Sequence, residues 1–323
     1  MNAVLSIRDL RVTFRTPAGP VQAVRGVNLD VEPGEVVGIV GESGSGKSVS
    51  FLSIMGLLPP SATVTGSAIV SGTQMVGVPA GQVRAQRGKK IAMIFQDPLS
   101  ALNPVHRIGA QIVEMIQAHQ DMSKTDAHAR AVELLDIVGL PQPDVRAHQY
   151  PHEFSGGMRQ RVMIAMAIAN DPEVLIADEP TTALDVTVQA QILEVIESVR
   201  QRLNTAVVFI THDLGVVARV ADRVEVMYAG NTVERGLVND MFAVPNHPYT
   251  QGLLASLPSH NKERLKPIVG SPPNMIAPPA GCAFRPRCAH ATDACASATG
   301  DLVTVGATQT ACIRAVELSG GAR

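Results

Sequence analysis

The stretch Val36-Val37-Gly38-Ile39-Val40-Gly41-Glu42-Ser43-Gly44-Ser45-Gly46-Lys47-Ser48 decides how this chain is read. Its first five residues form a short unbroken apolar run, the pattern of a strand buried on both faces. The eight that follow match G-x-x-x-x-G-K-S with nothing missing. The glycines let the backbone curl so that its N–H groups point at phosphate oxygens, and the helix that follows presents its positive end to the same anion. Lys47 places a cation on the β- and γ-phosphates, and the Ser48 hydroxyl is a ligand for Mg²⁺. Gly41, Ser43, Gly44, Ser45, Gly46, Lys47 and Ser48 are therefore the candidate nucleotide-binding residues. The rival, a flexible Gly/Ser turn, does not account for a buried strand before the loop and a helix after it.

Around this centre the chain alternates. Upstream, Val4 to Arg15 reads as extended, Thr16 to Pro20 as a loop, and Val27 to Val31 as a second extended run ending at the turn dipeptide Pro33-Gly34. Downstream, a helix is expected over Ser48 to Leu58, stopped by Pro59-Pro60. From about Leu99 to His148 the pattern is helical: Ile108, Ile112, Met115 and Ile116 share one face, and Ser123-Lys124-Thr125-Asp126 starts a helix that ends at Gly139. Strand-and-helix alternation then resumes, with a helix over about Ser155 to Ala169, a buried strand over Val174 to Ala177, and a helix over Val186 to Leu203. Strands over Ala206 to Ile210 and Val224 to Tyr228 complete it. The expected class is α/β: a mixed, largely parallel sheet with helices on both faces, N-terminal antiparallel strands and a helical insertion. After about Val244 the chain turns rich in Pro, Gly and Ser, which predicts a boundary and a small loop-rich C-terminal region.

Bulk composition narrows the partners. The chain has 323 residues, is 46% apolar and 17% charged, and carries a formal net charge of −2 without a single Trp. Neither a basic face for nucleic acid nor base-stacking platforms are expected. The N-terminus lacks a secretory pattern, and no window approaches the uninterrupted apolar length that spans a bilayer. The expected place is peripheral, at a membrane surface.

A second element carries chemistry. Val174-Leu175-Ile176-Ala177-Asp178-Glu179-Pro180 is a buried strand ending in two acids. Asp178 is placed to hold Mg²⁺ through water, and Glu179 to polarise the attacking water. Alone, such a strand end is as readily a pair of solvated acids; the phosphate loop upstream favours the catalytic reading.

The third element suggests a family. Phe154-Ser155-Gly156-Gly157-Met158-Arg159-Gln160 resembles the signature motif of ABC ATPases, usually Leu-Ser-Gly-Gly-Gln, with Phe for Leu and Met for Gln. Ser155 is a good N-cap, and Gly156 and Gly157 leave the first helical N–H groups open to an anion. The resemblance implies that Gln96, in Ile94-Phe95-Gln96-Asp97-Pro98, is the Q-loop glutamine, which senses Mg²⁺ and the attacking water. It makes Ala183-Leu184-Asp185 the D-loop at a dimer interface, His212 the switch histidine, and Phe14 a residue stacking on adenine or simply a core Phe. It also implies two such domains meeting head to tail, each ATP lying between the P-loop of one and the Ser-Gly-Gly of the other.

His247-Pro248-Tyr249-Thr250-Gln251-Gly252-Leu253-Leu254 and Gln96-Asp97-Pro98-Leu99-Ser100-Ala101-Leu102-Asn103-Pro104 resemble the oligopeptide and dipeptide permease branch of that family. The implied organisation is a nucleotide-binding domain over 1–245, with a helical subdomain at about 99–165, and a C-terminal extension over 246–323. The implied activity is ATP hydrolysis powering peptide uptake from the cytoplasmic face of the cell membrane. The implied partners are a second ATPase subunit, two permease subunits and an extracytoplasmic peptide-binding protein. Another solute, such as a nickel chelate or a glutathione-like molecule, is the alternative cargo. A non-transport ABC ATPase or a P-loop kinase is the more distant rival.

The chain's four cysteines, Cys282, Cys288, Cys295 and Cys312, are spaced C-x5-C-x6-C-x16-C. This spacing does not fit the paired hooks of a zinc ribbon, and four thiolates in a loop-rich region can hold an iron–sulfur cluster. The tail resembles that of peptide-importer ATPases in which these cysteines bind a [4Fe–4S] cluster. Zinc, or four reduced thiols without metal, remain the alternatives.

Overall fold

The apolar run ahead of the phosphate loop is β3 of the sheet, Val36–Val40, with all five residues buried. In the computed structural model, which describes residues 3–182, 184–256 and 267–320, β3 lies at the middle of an eight-stranded sheet. Ahead of it, β1 (Leu5–Thr16) and β2 (Gly19–Val31) form an antiparallel hairpin. Next come β4 (Ala62–Val70), β5 (Thr73–Gln74) and β6 (Ile91–Ile94). Then follow β7 (Val174–Asp178), β8 (Ala206–Thr211), β9 (Arg223–Tyr228), β10 (Asn231–Leu237), β11 (Val303–Val305) and β12 (Thr308–Thr310).

The large sheet has the order β11-β12-β10-β9-β3-β8-β7-β6, and β2-β1-β4-β5 form a separate antiparallel sheet. Strands β9, β3, β8, β7 and β6 run parallel, with Val36 opposite Val207, Val174 opposite Ala206 and Ile91 opposite Val174. β7 and β8 are buried along their whole length, as strands covered on both faces must be. One apolar core joins this sheet to the antiparallel one; another joins it to the helices Ile108–Gln117, Lys124–Ile137 and Gly156–Ala167.

The expected mixed sheet, antiparallel N-terminal strands and helical insertion are all present. Ser123 caps the helix Lys124–Ile137, accepting from the N–H of Asp126 at 3.1 Å. The first helix is shorter than expected, Lys47–Ile54. Gly56 takes a φ of +63°, and the Leu57 N–H reaches back to the Leu52 carbonyl at 3.0 Å. This closes the helix before the prolines are reached. No helix among the described residues is long and apolar enough to cross a membrane.

The C-terminal region holds more regular structure than its composition suggests. β12 pairs with β10, so residues from the tail extend the central sheet by two strands. Glu234 on β10, fully buried, fastens this junction. Its carboxylate accepts from the backbone N–H groups of Asn246 (2.6 Å) and His247 (2.9 Å) and from the Thr308 hydroxyl (3.2 Å). Burial pushes the Glu234 carboxyl up, and these bonds pull against it. Glu234→Ala strands several buried donors at once and is expected to cost about 3 kcal/mol of stability, read by denaturant unfolding; Glu234→Gln, which keeps an acceptor, is expected to cost less.

Candidate nucleotide site

The loop after β3 has the conformation its glycines permit. Gly46 caps the helix Lys47–Ile54 at a φ of +98°, and a Cβ there would stand 2.5 Å from the Ala23 carbonyl oxygen. At Gly41 a Cβ would meet the Met227 carbonyl at 2.2 Å, so neither position admits a side chain. Lys47, 6% exposed, donates from Nζ to the carbonyls of Gly41 (2.7 Å) and Glu42 (3.0 Å), spanning the loop. Burial pulls its ammonium below the ordinary value, and Glu179, Asp178 and Glu42 act against that.

Parallel pairing brings the end of β7 beside this loop. The Ser48 hydroxyl donates to Asp178 Oδ1 at 2.7 Å, so two of the three expected Mg²⁺ residues are in direct contact. Burial pushes the Asp178 carboxyl up, and the Ser48 bond opposes it. A divalent cation at this pair would favour the ionised form, so the donor set suits magnesium.

Glu179 gathers the other sequence candidates. One carboxylate oxygen accepts from Gln96 Nε2 at 3.1 Å and from the Thr182 hydroxyl at 2.9 Å; the other stands 3.3 Å from His212 Nδ1. Glu179 is 18% exposed and His212 61%, so the carboxylate is held by three partners and remains partly open to solvent. Such a group can polarise a water near the phosphate loop. Thr182, in contact with Glu179, was not among the residues singled out in the sequence; a threonine in a turn carries no signal of its own.

The Ser-Gly-Gly element lies elsewhere. Ser155 caps the helix Gly156–Ala167, accepting from the Met158 N–H at 3.4 Å. A Cβ at Gly157 would fall 2.5 Å from Val188 Cγ1, so glycine allows close contact with the helix Val186–Leu203. Asp185 caps that second helix by accepting from the Val188 N–H at 2.9 Å. Ala183, the first residue of the expected D-loop, lies outside the described residues. Ser155, Gly156 and Asp185 are exposed, and among the described residues none of them bonds to the loop 41–48. Within one chain, then, no hydrogen bond among the described residues joins the two halves of the expected site. Phe14 is partly buried on β1 opposite Val21, packed against the N-terminal core.

In the C-terminal region Cys282, Cys288, Cys295 and Cys312 line one small cavity, and none is in a disulfide. The Cys282 N–H donates to the Cys295 carbonyl at 2.9 Å, tying two of the loops together. Burial pushes the thiols of Cys282, Cys288 and Cys312 up, and their sulfur neighbours push the same way. Among the described residues no group of three or more His, Cys, Asp or Glu side chains is arranged to hold a metal ion. The expected cluster therefore meets four gathered thiols without a formed metal centre.

Residues 24–182 match the family model described as ABC transporter, and residues 233–295 match that of the oligopeptide/dipeptide transporter C-terminal region. The chain is 53% identical over 293 residues to the oligopeptide transport ATP-binding protein OppD of Bacillus subtilis, covering 89% of this chain and 82% of that one. The chain belongs to the ABC transporter family, in its oligopeptide/dipeptide branch. It is 50% identical to OppD of Escherichia coli, with 92% of this chain and 89% of that one covered. It is 52% identical to the dipeptide transport ATP-binding protein DppD of B. subtilis, with 91% and 89% covered. Among solved structures it resembles the dimeric ATP-binding cassette MJ0796 bound to ADP and phosphate. That likeness has a TM-score of 0.65 at 27% identity, covering 72% of this chain and 98% of that one. As a family member the chain is an ATP-binding and ATP-hydrolysing transporter subunit.

Gly46→Ala, which drives a methyl into the Ala23 carbonyl at a positive φ, is expected to weaken ATP binding at least about a hundredfold in an equilibrium nucleotide-binding assay.

Proposed function

We propose that this ABC ATPase powers the uptake of di- or oligopeptides from the cytoplasmic face of the cell membrane. The observation that carries its chemistry is the carboxylate of Glu179 held between Gln96 and His212, one residue from the Asp178–Ser48 pair. The cargo rests on the match of residues 233–295 to the peptide-transporter C-terminal region and on relatives named for oligopeptide and dipeptide transport. A nickel chelate or glutathione-like solute is the alternative cargo, because selection belongs to other subunits.

In this reading Gly41, Ser43, Gly44, Ser45, Gly46 and Lys47 cradle the phosphates, Ser48 and Asp178 hold Mg²⁺ with Gln96, and Phe14 stacks on adenine. Magnesium would neutralise phosphate charge there. Glu179 takes a proton from the attacking water, with His212 at the γ-phosphate and Gln96 orienting the water. Ser155, Gly156, Gly157 and Asp185 serve the nucleotide of a second ATPase subunit across a dimer seam. The exposure of Ser155, Gly156 and Asp185, and the lack of any hydrogen bond from them to this chain's own loop among the described residues, support that assignment, as does the dimeric state of the MJ0796 relative.

A groove of about 840 Å³ between the two lobes suits a permease. Met55, Met93 and Phe95 line its core side, and Met115, Met163 and Met166 its helical side. Methionines adapt to an inserted helix, and the groove ends one residue from Gln96, where a partner's movement reaches the catalytic carboxylate. The full assembly is two ATPases, two permeases and an extracytoplasmic peptide-binding protein, with no nucleic acid. Residues 1–245 act as the motor and 246–323 as its extension.

The four cysteines are the ligands of a [4Fe–4S] cluster in this reading. Four free sulfurs around one cavity, together with a spacing that lacks the paired hooks of a zinc ribbon, support this reading.

The test is the intact complex, purified anaerobically and reconstituted, with peptide-stimulated ATP turnover and iron content measured together. Turnover that peptide raises severalfold and about four irons per chain are expected; turnover indifferent to peptide would sink the cargo, and iron-free protein the cluster. Glu179→Gln should retain ATP and lower turnover at least about a hundredfold. Wild-type turnover in that variant would remove Glu179 from its role.

A further inference from the structure

The second residue of the phosphate loop is tied to the far end of the chain. Glu42 is a two-pronged acceptor for Arg287, Nη1 to Oε2 at 2.6 Å and Nη2 to Oε1 at 2.9 Å, across 245 positions of sequence. The Arg287 side chain is 5% exposed and that of Glu42 27%. Arg287 is fixed in turn: Nε donates to the Val269 carbonyl at 3.1 Å, and Nη1 to the Tyr228 hydroxyl at 3.3 Å. Its guanidinium lies near the rings of Tyr228 (5.8 Å) and Phe284 (5.9 Å). Tyr228, Tyr249 and Phe284 pack on one another, with centroids 4.6 to 5.4 Å apart.

The same cluster grips the loop backbone. The Glu42 N–H donates to the Tyr249 hydroxyl at 2.8 Å, and the Glu42 carbonyl accepts from Lys47 Nζ. Glu42, whose carbonyl accepts from the phosphate-loop lysine, is therefore held through its side chain and its N–H, both by residues of the C-terminal region. A solvent-exposed ion pair in this place would contribute little, but a forked guanidinium–carboxylate pair with its cation shielded from water is directional and stiff.

We propose that Arg287 is a positioning residue for nucleotide binding: acting through Glu42, it holds the loop 41–47 in its phosphate-accepting curl. The C-terminal extension then contributes to the ATP site of its own chain. The proposal rests on the reading of residues 41–48 as the nucleotide loop, independently of the cargo.

The experiment is photolabelling of this subunit by 8-azido-ATP within the intact complex, which separates its site from that of the second ATPase. Lys47→Ala is the control for the loop itself: if labelling survives that change, the reading of 41–48 fails rather than the clamp. Arg287→Gln and Glu42→Gln should each raise the half-saturating azido-ATP concentration about tenfold. The double variant should be no worse than either single one, and Arg287→Lys, which keeps charge but loses the fork, should fall between. Labelling of the partner subunit should not shift. Thermal unfolding is measured beside it. Variants that melt earlier yet label at wild-type concentrations, or single effects that add in the double variant, would overturn the proposal. If Arg287→Gln does not assemble, Glu42→Gln removes the same contact from the loop side and decides alone.

Discussion

Parallel pairing of β3, β8, β7 and β6 is the constraint on which the site depends. Strands that run the same way end at the same edge of the sheet. The loop after β3, the acids at the end of β7, the histidine after β8 and the glutamine after β6 are forced to one rim, although 165 positions separate Lys47 from His212 in the sequence. Ligands of open parallel sheets gather at such a rim. The hydrogen bonds Ser48–Asp178, Gln96–Glu179 and His212–Glu179 then need only side-chain reach.

Much of this was legible before any coordinates. The five buried residues of β3, the helix Val186–Leu203 and the cap at Ser123 stand where pattern and capping chemistry put them. The helix and the cap are governed by interactions within a few residues, and β3 announces itself by an unbroken apolar run that feeds a motif. The strands β4, β5, β6 and β10 and the two strands of the tail were not read from the sequence, the shortest of them for the opposite reason. β6 has four residues and β11 and β12 three each, too few for a period to emerge, and what stabilises them is a partner strand far away in sequence. The same divide runs through the site. Gln96, Asp178, Glu179 and His212 sit in recognisable motifs, whereas Thr182 and Arg287 contact Glu179 and the loop from positions that carry no pattern, and Tyr249 lies in a segment whose resemblance says nothing of contact with the loop.

The C-terminal region is physically part of the motor's architecture. Glu234 binds its backbone from below, β12 continues the sheet, and an aromatic cluster seats Arg287 against the loop. All three attachments are buried or nearly so, which is where polar contacts are strong and their loss is costly. The four thiols lie in this same lobe, and Cys288 directly follows Arg287 in the chain.

One feature of the backbone sets stability against chemistry. Glu179 takes a φ of +47°, a left-handed conformation that costs a residue with a Cβ about 1 kcal/mol. That tilt belongs to the sharp exit from β7 that presents the carboxylate between Gln96 and His212. Glycine would occupy the same turn in comfort, so with Glu179 in its proposed role the position is one where a sturdier chain and an idle one coincide. Attempts to harden this subunit by relaxing its strained turns would reach this peptide early, and would have to leave it alone.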